Sequence, residues 1–500
     1  MAPELETTSK LHFVLTPLMA QGHLIPMIDI AKLLAQHGVV VTLITTPVNA
    51  KRVRSSLARA MEPPGIDIRV EEVEAPCEEV GLSKRCENLD QLPSLGLAIA
   101  FMNKSDLLFG RVVEELFEGL RPRPNCIISD MSFPYTSLLA KKHGIPRIAF
   151  NGFSSLALLC LRNVAANIGF LDGLDSDSEP FLVPGMPDRI ELTKSQLPLA
   201  MVGGAVDWAW YGERIAAAEA MSYGTIINSF QELEPEYFAL VKEALGGKAW
   251  CVGPVSSCNK DRLDRSQRGS PVVVDESVYS EWLDSQQPDS VIYVCFGSIC
   301  NIVTSQLIEL ALGLEASNHP FMWVVREGEA SEDLLKWMEE SGFEQRSKGR
   351  GFVIRGWAPQ VAILSHPAIG GFLTHCGWNS TLEGISAGLP MATWPLFADQ
   401  FCNERLIVDV LNVGVKIGAK TTVAWGQEEK AGVTVRKEDV KKAIEELMGK
   451  GIEMEKRKNR VKQLSEMSKV ALEEGGSSHT NIKLLIQDIS RHREANTLKS

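Results

Sequence analysis

One stretch of this chain concentrates residue types that can grip an anion. It runs from Trp357-Ala358-Pro359-Gln360 through Ser365-His366-Pro367 and Gly370-Gly371, and closes at Pro395-Leu396-Phe397-Ala398-Asp399-Gln400. Its centre, Phe372-Leu373-Thr374-His375-Cys376-Gly377-Trp378-Asn379-Ser380, reads as a strand, a glycine-rich bend and a helix start. Such a bend presents unpaired backbone N–H groups and the positive end of a helix dipole, and His375, Asn379 and Ser380 add side-chain donors. That combination suits a phosphate. Trp357 offers an aromatic face to a base, and Glu383 can accept hydrogen bonds from two ribose hydroxyls, so a nucleoside diphosphate fits the segment.

A second pair of residues could move a proton. His23 follows the apolar run Phe13 to Leu15, and Asp130 ends the apolar run Cys126 to Ser129. If both runs are strands of one parallel sheet, the two side chains emerge at the same carboxyl edge, where doubly wound domains present functional groups. Taken alone, a histidine in Gln21-Gly22-His23 is more readily structural.

Three shorter motifs carry less. Gly384-Ile385-Ser386-Ala387-Gly388 has the spacing of a nucleophile elbow, but no strand precedes it and Gly388-Leu389-Pro390 looks like a helix end, so Ser386 is expected inside a helix. Asp175-Ser176-Asp177 could pair carboxylates on a divalent metal, but its acidic, glycine-containing surroundings favour a solvated loop. Phe296-Gly297-Ser298 ends a strand without completing a dinucleotide-binding GxGxxG; a phosphate contact and simple backbone packing remain equally open.

The elements that must position these groups alternate. Strand-like Phe13 to Leu15, helical Leu24 to Leu34 and strand-like Val39 to Ile44 form a unit that recurs at Cys126 to Phe150 and at Thr225 to Val252. A polar stretch between Ser256 and Glu276 reads as a linker. The alternation then restarts at Val291 to Phe296 and continues through Phe321 to Val325, Phe352 to Ile354, Ile369 to Leu373 and Met391 to Trp394. The expected class is α/β: two facing, doubly wound Rossmann-like domains with the site in the cleft between them. The expected divisions are 1–250, 251–278 (linker), 279–474, which holds the anion-gripping segment, and 475–500 (a terminal helix and tail).

The 500 residues carry 51 Lys+Arg against 63 Asp+Glu, a net charge of −12 that disfavours nucleic-acid partners. The one basic run, Lys456 to Lys462, is interleaved with glutamates and lacks aromatics, as a solvated helix face would be. Ten cysteines without a CxxC pair point to reduced thiols and a cytoplasmic setting. No signal peptide and no membrane span is expected.

The segment Trp357 to Gln400 resembles the complete signature box of the plant secondary-product UDP-glycosyltransferases. The resemblance extends over essentially the whole chain, from Phe13 to His23, through Trp282-Leu283-Asp284, to Glu473-Glu474-Gly475-Gly476-Ser477-Ser478. It implies the GT-B fold, with Trp357 on uracil, the Ala358 backbone at its edge, and Gln360 and Glu383 on the ribose. Ser298, His375, Gly377, Asn379 and Ser380 would hold the diphosphate, while Trp378, Asp399 and Gln400 would hold the sugar. Gln400 at the close of the box goes with UDP-glucose in this family. The family also pairs a histidine and an aspartate at the positions of His23 and Asp130, as general base and its orienting carboxylate. Implied with these is inverting β-O-glucosylation of a small lipophilic acceptor: a flavonoid, triterpenoid, steroid or plant hormone. Met131, Phe133, Phe153, Trp208 and Trp210 are candidate walls for it, although ordinary core is the readier fate of each. UDP-glucose is then a co-substrate, no metal is required, and a monomer is expected. The family also implies that the terminal helix, with apolar spacing over Asn481 to Ile489, crosses back onto the first domain. The tail from Arg491 is expected to fray. Two other readings are a nucleotide-sugar-binding protein without turnover and a serine hydrolase centred on Ser386.

Overall fold

The computed structural model describes residues 10–202, 206–272, 274–326 and 329–498. Its first sheet contains β1 (His12–Thr16), β2 (Val40–Thr45), β3 (Ile68–Glu72), β4 (Cys126–Asp130) and β5 (Arg147–Asn151). A small antiparallel hairpin, β6 (Pro180–Leu182) and β7 (Glu191–Thr193), stands apart, and β8 (Gly224–Ile227) and β9 (Ala249–Cys251) complete the sheet. The order is β3-β2-β1-β4-β5-β8-β9, all parallel. The second sheet contains β10 (Val291–Cys295), β11 (Phe321–Val325), β12 (Gly351–Arg355), β13 (Ile369–Thr374), β14 (Met391–Thr393) and β15 (Gly414–Lys416). It runs β12-β11-β10-β13-β14-β15, also parallel.

Both faces of each sheet are covered, which is why these strands read as unbroken apolar runs. On β1, Phe13 and Leu15 pack on one face and Val14 on the other; on β10, Val291 and Tyr293 oppose Ile292 and Val294. The strand order reverses between β1 and β4 in the first sheet and between β10 and β13 in the second. Each reversal opens a crevice at the strands' carboxyl ends, the place where doubly wound sheets bind ligands.

The helix Ser477–Thr497 returns to the first sheet. Ile482, Leu485 and Ile489 join the core around Phe13 and Leu15, Ser478 Oγ donates to the Gly253 carbonyl, and Asn481 Nδ2 to the Cys251 carbonyl at 3.0 Å. The expectation of fraying from Arg491 fails as far as Thr497. Asn496 Nδ2 donates to the Gly144 carbonyl at 3.1 Å, and His492 stands edge-on to Tyr223, so tertiary contacts hold the last turns. The basic run lies on the helix Ile452–Leu472, where Lys456, Arg457 and Lys458 pair with Glu453, Glu446 and Asp289. All ten cysteines are free thiols. Among the described residues no helix is long and apolar enough to cross a membrane.

Candidate functional site

Asp130 closes β4, and His23 lies in the first turn of α1 (Gln21–Gln36), just after β1. The strands flanking the first reversal therefore deliver both groups to one edge. His23 Nδ1 and Asp130 Oδ2 are 2.6 Å apart, and Asp130 Oδ1 accepts from the Ser132 N–H at 2.9 Å. Asp130 is fully buried, while the His23 side chain is 26% exposed and lines the cleft cavity. Burial opposes charge on both groups. The Asp130 charge and hydrogen bond, with Asp399 farther off, outweigh it and raise His23 above its usual 6.5. Contact with His23 and Ser132 likewise holds Asp130 below its usual 3.8. With Nδ1 committed, Nε2 is the nitrogen left to exchange a proton.

Across the cavity the second reversal brings together backbone and side-chain donors suited to an anion. After β10 the chain turns through Gly297, at φ 72°; after β13 it turns through Cys376, at φ 64°, and enters the helix Trp378–Ser386. The His375 ring fits between two glycines. A Cβ on Gly297 would come within 2.6 Å of ring atoms Cε1 and Nε2, and one on Gly377 would overlap Nε2. Gly297 is thus explained by packing against His375, while Ser298 beside it faces the cavity. Burial pushes the imidazole down to about 4, with Arg326 adding to the effect and the Cys295 carbonyl opposing it. His375 is consequently a neutral hydrogen-bonding group near pH 7. No side chain caps the Trp378–Ser386 helix, so its first-turn N–H groups face the cleft beside Ser380.

Ser298, Trp357, Ala358, Gln360, His375, Gly377, Trp378, Asn379, Ser380, Glu383, Asp399 and Gln400 line the same cavity as His23, of about 610 Å³. Gln360 Nε2 donates to Glu383 Oε2 at 2.7 Å and to Ser380 Oγ at 3.0 Å. The Gln400 carbonyl accepts from the Leu396 and Phe397 N–H groups at 2.8 and 3.0 Å, so its NH₂, which also reaches the Cys300 thiol, is the end that can donate to a ligand. Burial lifts Asp399 to about 6, against the hydrogen bond from Asn403 Nδ2 at 2.7 Å. The Trp378 indole N–H is already given to the Asn228 carbonyl at 2.7 Å, so what this residue offers a ligand is its main chain.

Two features escaped the sequence. Pro26 has no N–H, so the Gly22 carbonyl one turn back has no partner at the usual helical position; Asn379 Nδ2 donates to it across the cleft at 2.6 Å. A proline inside a helix was the available signal. The second is the supposed linker, which is not free chain. Residues 255–258 and 262–266 form helical turns against the first domain, with Lys32 Nζ donating to Asn259 at 2.8 Å and Arg59 pairing with Asp264 at 2.9 Å. Arg268, Ser270 and Pro271 then line the cavity itself.

The other motifs resolve simply. Ser386 ends the Trp378–Ser386 helix with its hydroxyl buried and unbonded, which no exposed nucleophile shares. Asp177, 74% exposed, pairs with Lys194 at 3.4 Å outside the cavity. Among the described residues no cluster of His, Cys, Asp or Glu is arranged to hold a metal ion. Of the candidate acceptor walls, Phe153 lines the cavity, Phe133 is core against Phe109 and Tyr135, Met131 is half-buried and Trp210 is exposed beneath Arg214. The side chain of Trp208 lies outside the described residues.

A family model for UDP-glucoronosyl and UDP-glucosyl transferases matches residues 276–474. The chain is 53% identical over 479 residues to UDP-glycosyltransferase 73C3 of Arabidopsis thaliana, covering 96% of each protein. It is 51% identical to UDP-glycosyltransferase 73C11 of Barbarea vulgaris, covering 97% of this chain and 98% of that one. Among solved structures, Glycyrrhiza uralensis UGT73P12, complexed with glycyrrhetinic acid 3-O-monoglucuronide, superposes with a TM-score of 0.88 at 38% identity over 98% of both chains. Medicago truncatula UGT71G1, complexed with UDP-glucose, gives 0.75 at 27% identity over 96% of this chain and 98% of that one.

Proposed function

Because this chain belongs to the plant UDP-glycosyltransferase family, and is therefore a glycosyltransferase of GT-B fold acting from a UDP-sugar, we propose that it transfers glucose from UDP-glucose to a hydroxyl of a small lipophilic acceptor, with inversion. The observation that carries this reading is the placement of the His23–Asp130 pair on the same cavity as the glycine-flanked cradle around His375.

In this mechanism the acceptor oxygen attacks the anomeric carbon while its proton passes to His23 Nε2. Asp130 holds the Nδ1 proton and stabilises the imidazolium that forms. The bond from the anomeric carbon to phosphate breaks with its electron pair leaving on UDP, so an α-linked donor gives a β-glucoside. A phenol near pKa 10 lies roughly 3.5 units above an ordinary histidine, about 5 kcal/mol, so proton removal is concerted with attack. The raised pKa of His23 narrows that gap, and phenols should outreact alcohols.

On the leaving-group side the helix amides at 378–380, Ser298, Ser380, Asn379 and neutral His375 take the diphosphate. Trp357 stacks on uracil with the Ala358 backbone at its edge, Gln360 and Glu383 meet the ribose, and Asp399, the Gln400 amide and the main chain at Trp378 meet the sugar. These donors fill the place of a divalent cation, so transfer needs no metal. The first sheet then serves the acceptor and the second the donor, in a cytosolic monomer. Support for the donor and for a lipophilic acceptor comes from what the Medicago and Glycyrrhiza structures hold, and from Gln400. Incubation with several UDP-sugars and a panel of phenols and triterpenoid and steroid alcohols, with mass detection of conjugates in the presence and absence of EDTA, tests all of this. Transfer from another sugar in preference to glucose, or loss of transfer with EDTA, would overturn the corresponding part.

A further inference from the structure

Arg268 stands in the chain between the two sheets, yet its side chain is only 10% exposed. Its Nε and Nη2 reach Asp29 Oδ2 at 2.8 and 2.7 Å, and its Nη1 pairs with Glu383 Oε1. Asp29 is on α1, less than two turns beyond His23, and is itself buried, with Oδ1 accepting from Asn259 Nδ2 at 2.9 Å. Glu383 is on the Trp378–Ser386 helix, one turn beyond Ser380. A single guanidinium thus joins a buried anion of the helix that carries His23 to a buried anion of the helix whose N-terminus faces the cleft. Buried carboxylates are found paired and hydrogen-bonded, and Arg268 supplies the pairing for both.

The hydrogen-bond count at Glu383 is informative. A carboxylate has about four acceptor sites. Arg268 takes one on Oε1 and Gln360 takes one on Oε2, at 2.7 Å. One site remains on each oxygen, which matches two hydroxyls on adjacent carbons, each donating to its own oxygen. The two protein donors also fix the plane in which those sites lie. The next residue repeats the theme for the base. Gly269 sits at φ 93°, and a Cβ there would overlap the Trp357 indole at Cζ2 and come within 2.9 Å of Ile25 Cδ1.

We propose that Arg268 is a positioning residue of the nucleotide site: it holds the Glu383 carboxylate oriented for the ribose diol, and through Asp29 it ties that carboxylate to the helix bearing His23. The proposal rests on the donor site described under Proposed function. Its test compares the binding of UDP and 2′,3′-dideoxy-UDP by calorimetry in the full chain and in the R268Q and R268K variants, with kcat and KM for transfer measured alongside. The unaltered protein should prefer UDP. In R268Q that preference should shrink about tenfold, because hydrogen bonds to a fixed charged acceptor are lost, and the effect should fall on KM for the UDP-sugar more than on kcat. R268K should lie between, since one ammonium cannot span two carboxylates as the guanidinium fork does. An undiminished preference in either folded variant overturns the proposal, even if both nucleotides bind more weakly, because a purely structural tie would weaken both alike. Absence of a preference in the unaltered protein would overturn it from the other side, by removing the ribose from Glu383. Failure to bind UDP at all would instead sink the proposed function.

Discussion

Replacing Asp130 by Asn isolates the role given to the first-sheet pair. The substitution keeps the size of a fully buried side chain but removes the charge that faces His23 Nδ1 at 2.6 Å. As His23 takes the acceptor proton it becomes an imidazolium, and the bond it loses is one to a charged group, about 1.5–3 kcal/mol. At about 1.36 kcal/mol per decade, that alone slows kcat by roughly ten- to 150-fold. The Asn amide can in addition donate to Nδ1 and so favour the tautomer with its proton on Nε2, which cannot accept one. In serine proteases the equivalent change costs about 10⁴, so the expected loss lies between these bounds. The pH profile gives an independent reading. In the proposed mechanism the unprotonated ring is the base, and Asp130 raises its pKa, so the acid limb of kcat/KM should lie above the ordinary 6.5 and move to lower pH in the variant. UDP affinity, measured by calorimetry, should not change. In a His23→Ala background the second substitution should add almost nothing, since the two residues act as a unit. A variant with undiminished kcat and an unmoved acid limb would refute the argument.

Gly377→Ala places a methyl against His375 Nε2; overpacking of this kind costs about 1–3 kcal/mol, so UDP affinity by calorimetry should drop roughly five- to 150-fold with the circular dichroism spectrum unchanged. Gln400→Glu keeps an oxygen for the Leu396 and Phe397 N–H groups but replaces the NH₂ donor, so kcat/KM for UDP-glucose should decrease by about one to two orders of magnitude while UDP itself binds as before. Leu485→Ala empties a buried position between the terminal helix and the first sheet and should remove about 2–5 kcal/mol of stability, read from urea unfolding; an unshifted midpoint would place that helix off the core.

What the sequence disclosed and what it concealed divide along the distance between partners. The strands around His23, Asp130 and His375 were legible because burial on both faces makes each a continuous apolar run, and the signature segment was legible because its groups lie close together in the chain. Arg268 was not. It sits among Asp261, Arg265, Gln267 and Gly269, a composition shared with any solvated connection, and its carboxylate partners are 239 and 115 residues away. Asn379 and Gly22 are separated by 357 residues, so even the proline that releases the carbonyl could not reveal which group would claim it. Phe133 and Phe153 are the same residue type, and only the folded chain shows that one is core and the other faces the cavity. The last turns of the terminal helix were missed because Asn496 and His492 are held from outside their own segment.

The use of two sheets follows from the size of the task. A general base contributes about 10²- to 10⁴-fold, or roughly 3–5.5 kcal/mol, whereas enzymes lower barriers by about 8–23 kcal/mol. Most of the effect must therefore come from stabilising the departing diphosphate and from aligning donor and acceptor. Two reversals facing each other can present a base and a leaving-group cradle from opposite sides of the same cleft, provided their separation is fixed. Several contacts that cross the cleft lie at or beside the residues given roles in the proposed mechanism: Asn379 with Gly22 next to His23, Trp378 with Asn228, Ser154 Oγ with the Asn403 that holds Asp399, and Arg268 between Asp29 and Glu383. Further contacts away from the cavity, such as Trp425 Nε1 with the Leu92 carbonyl and Thr422 Oγ1 with the Ser195 carbonyl, tie the same halves together, so under the proposed mechanism a shift of one half against the other would change the geometry of both partners in the reaction at once.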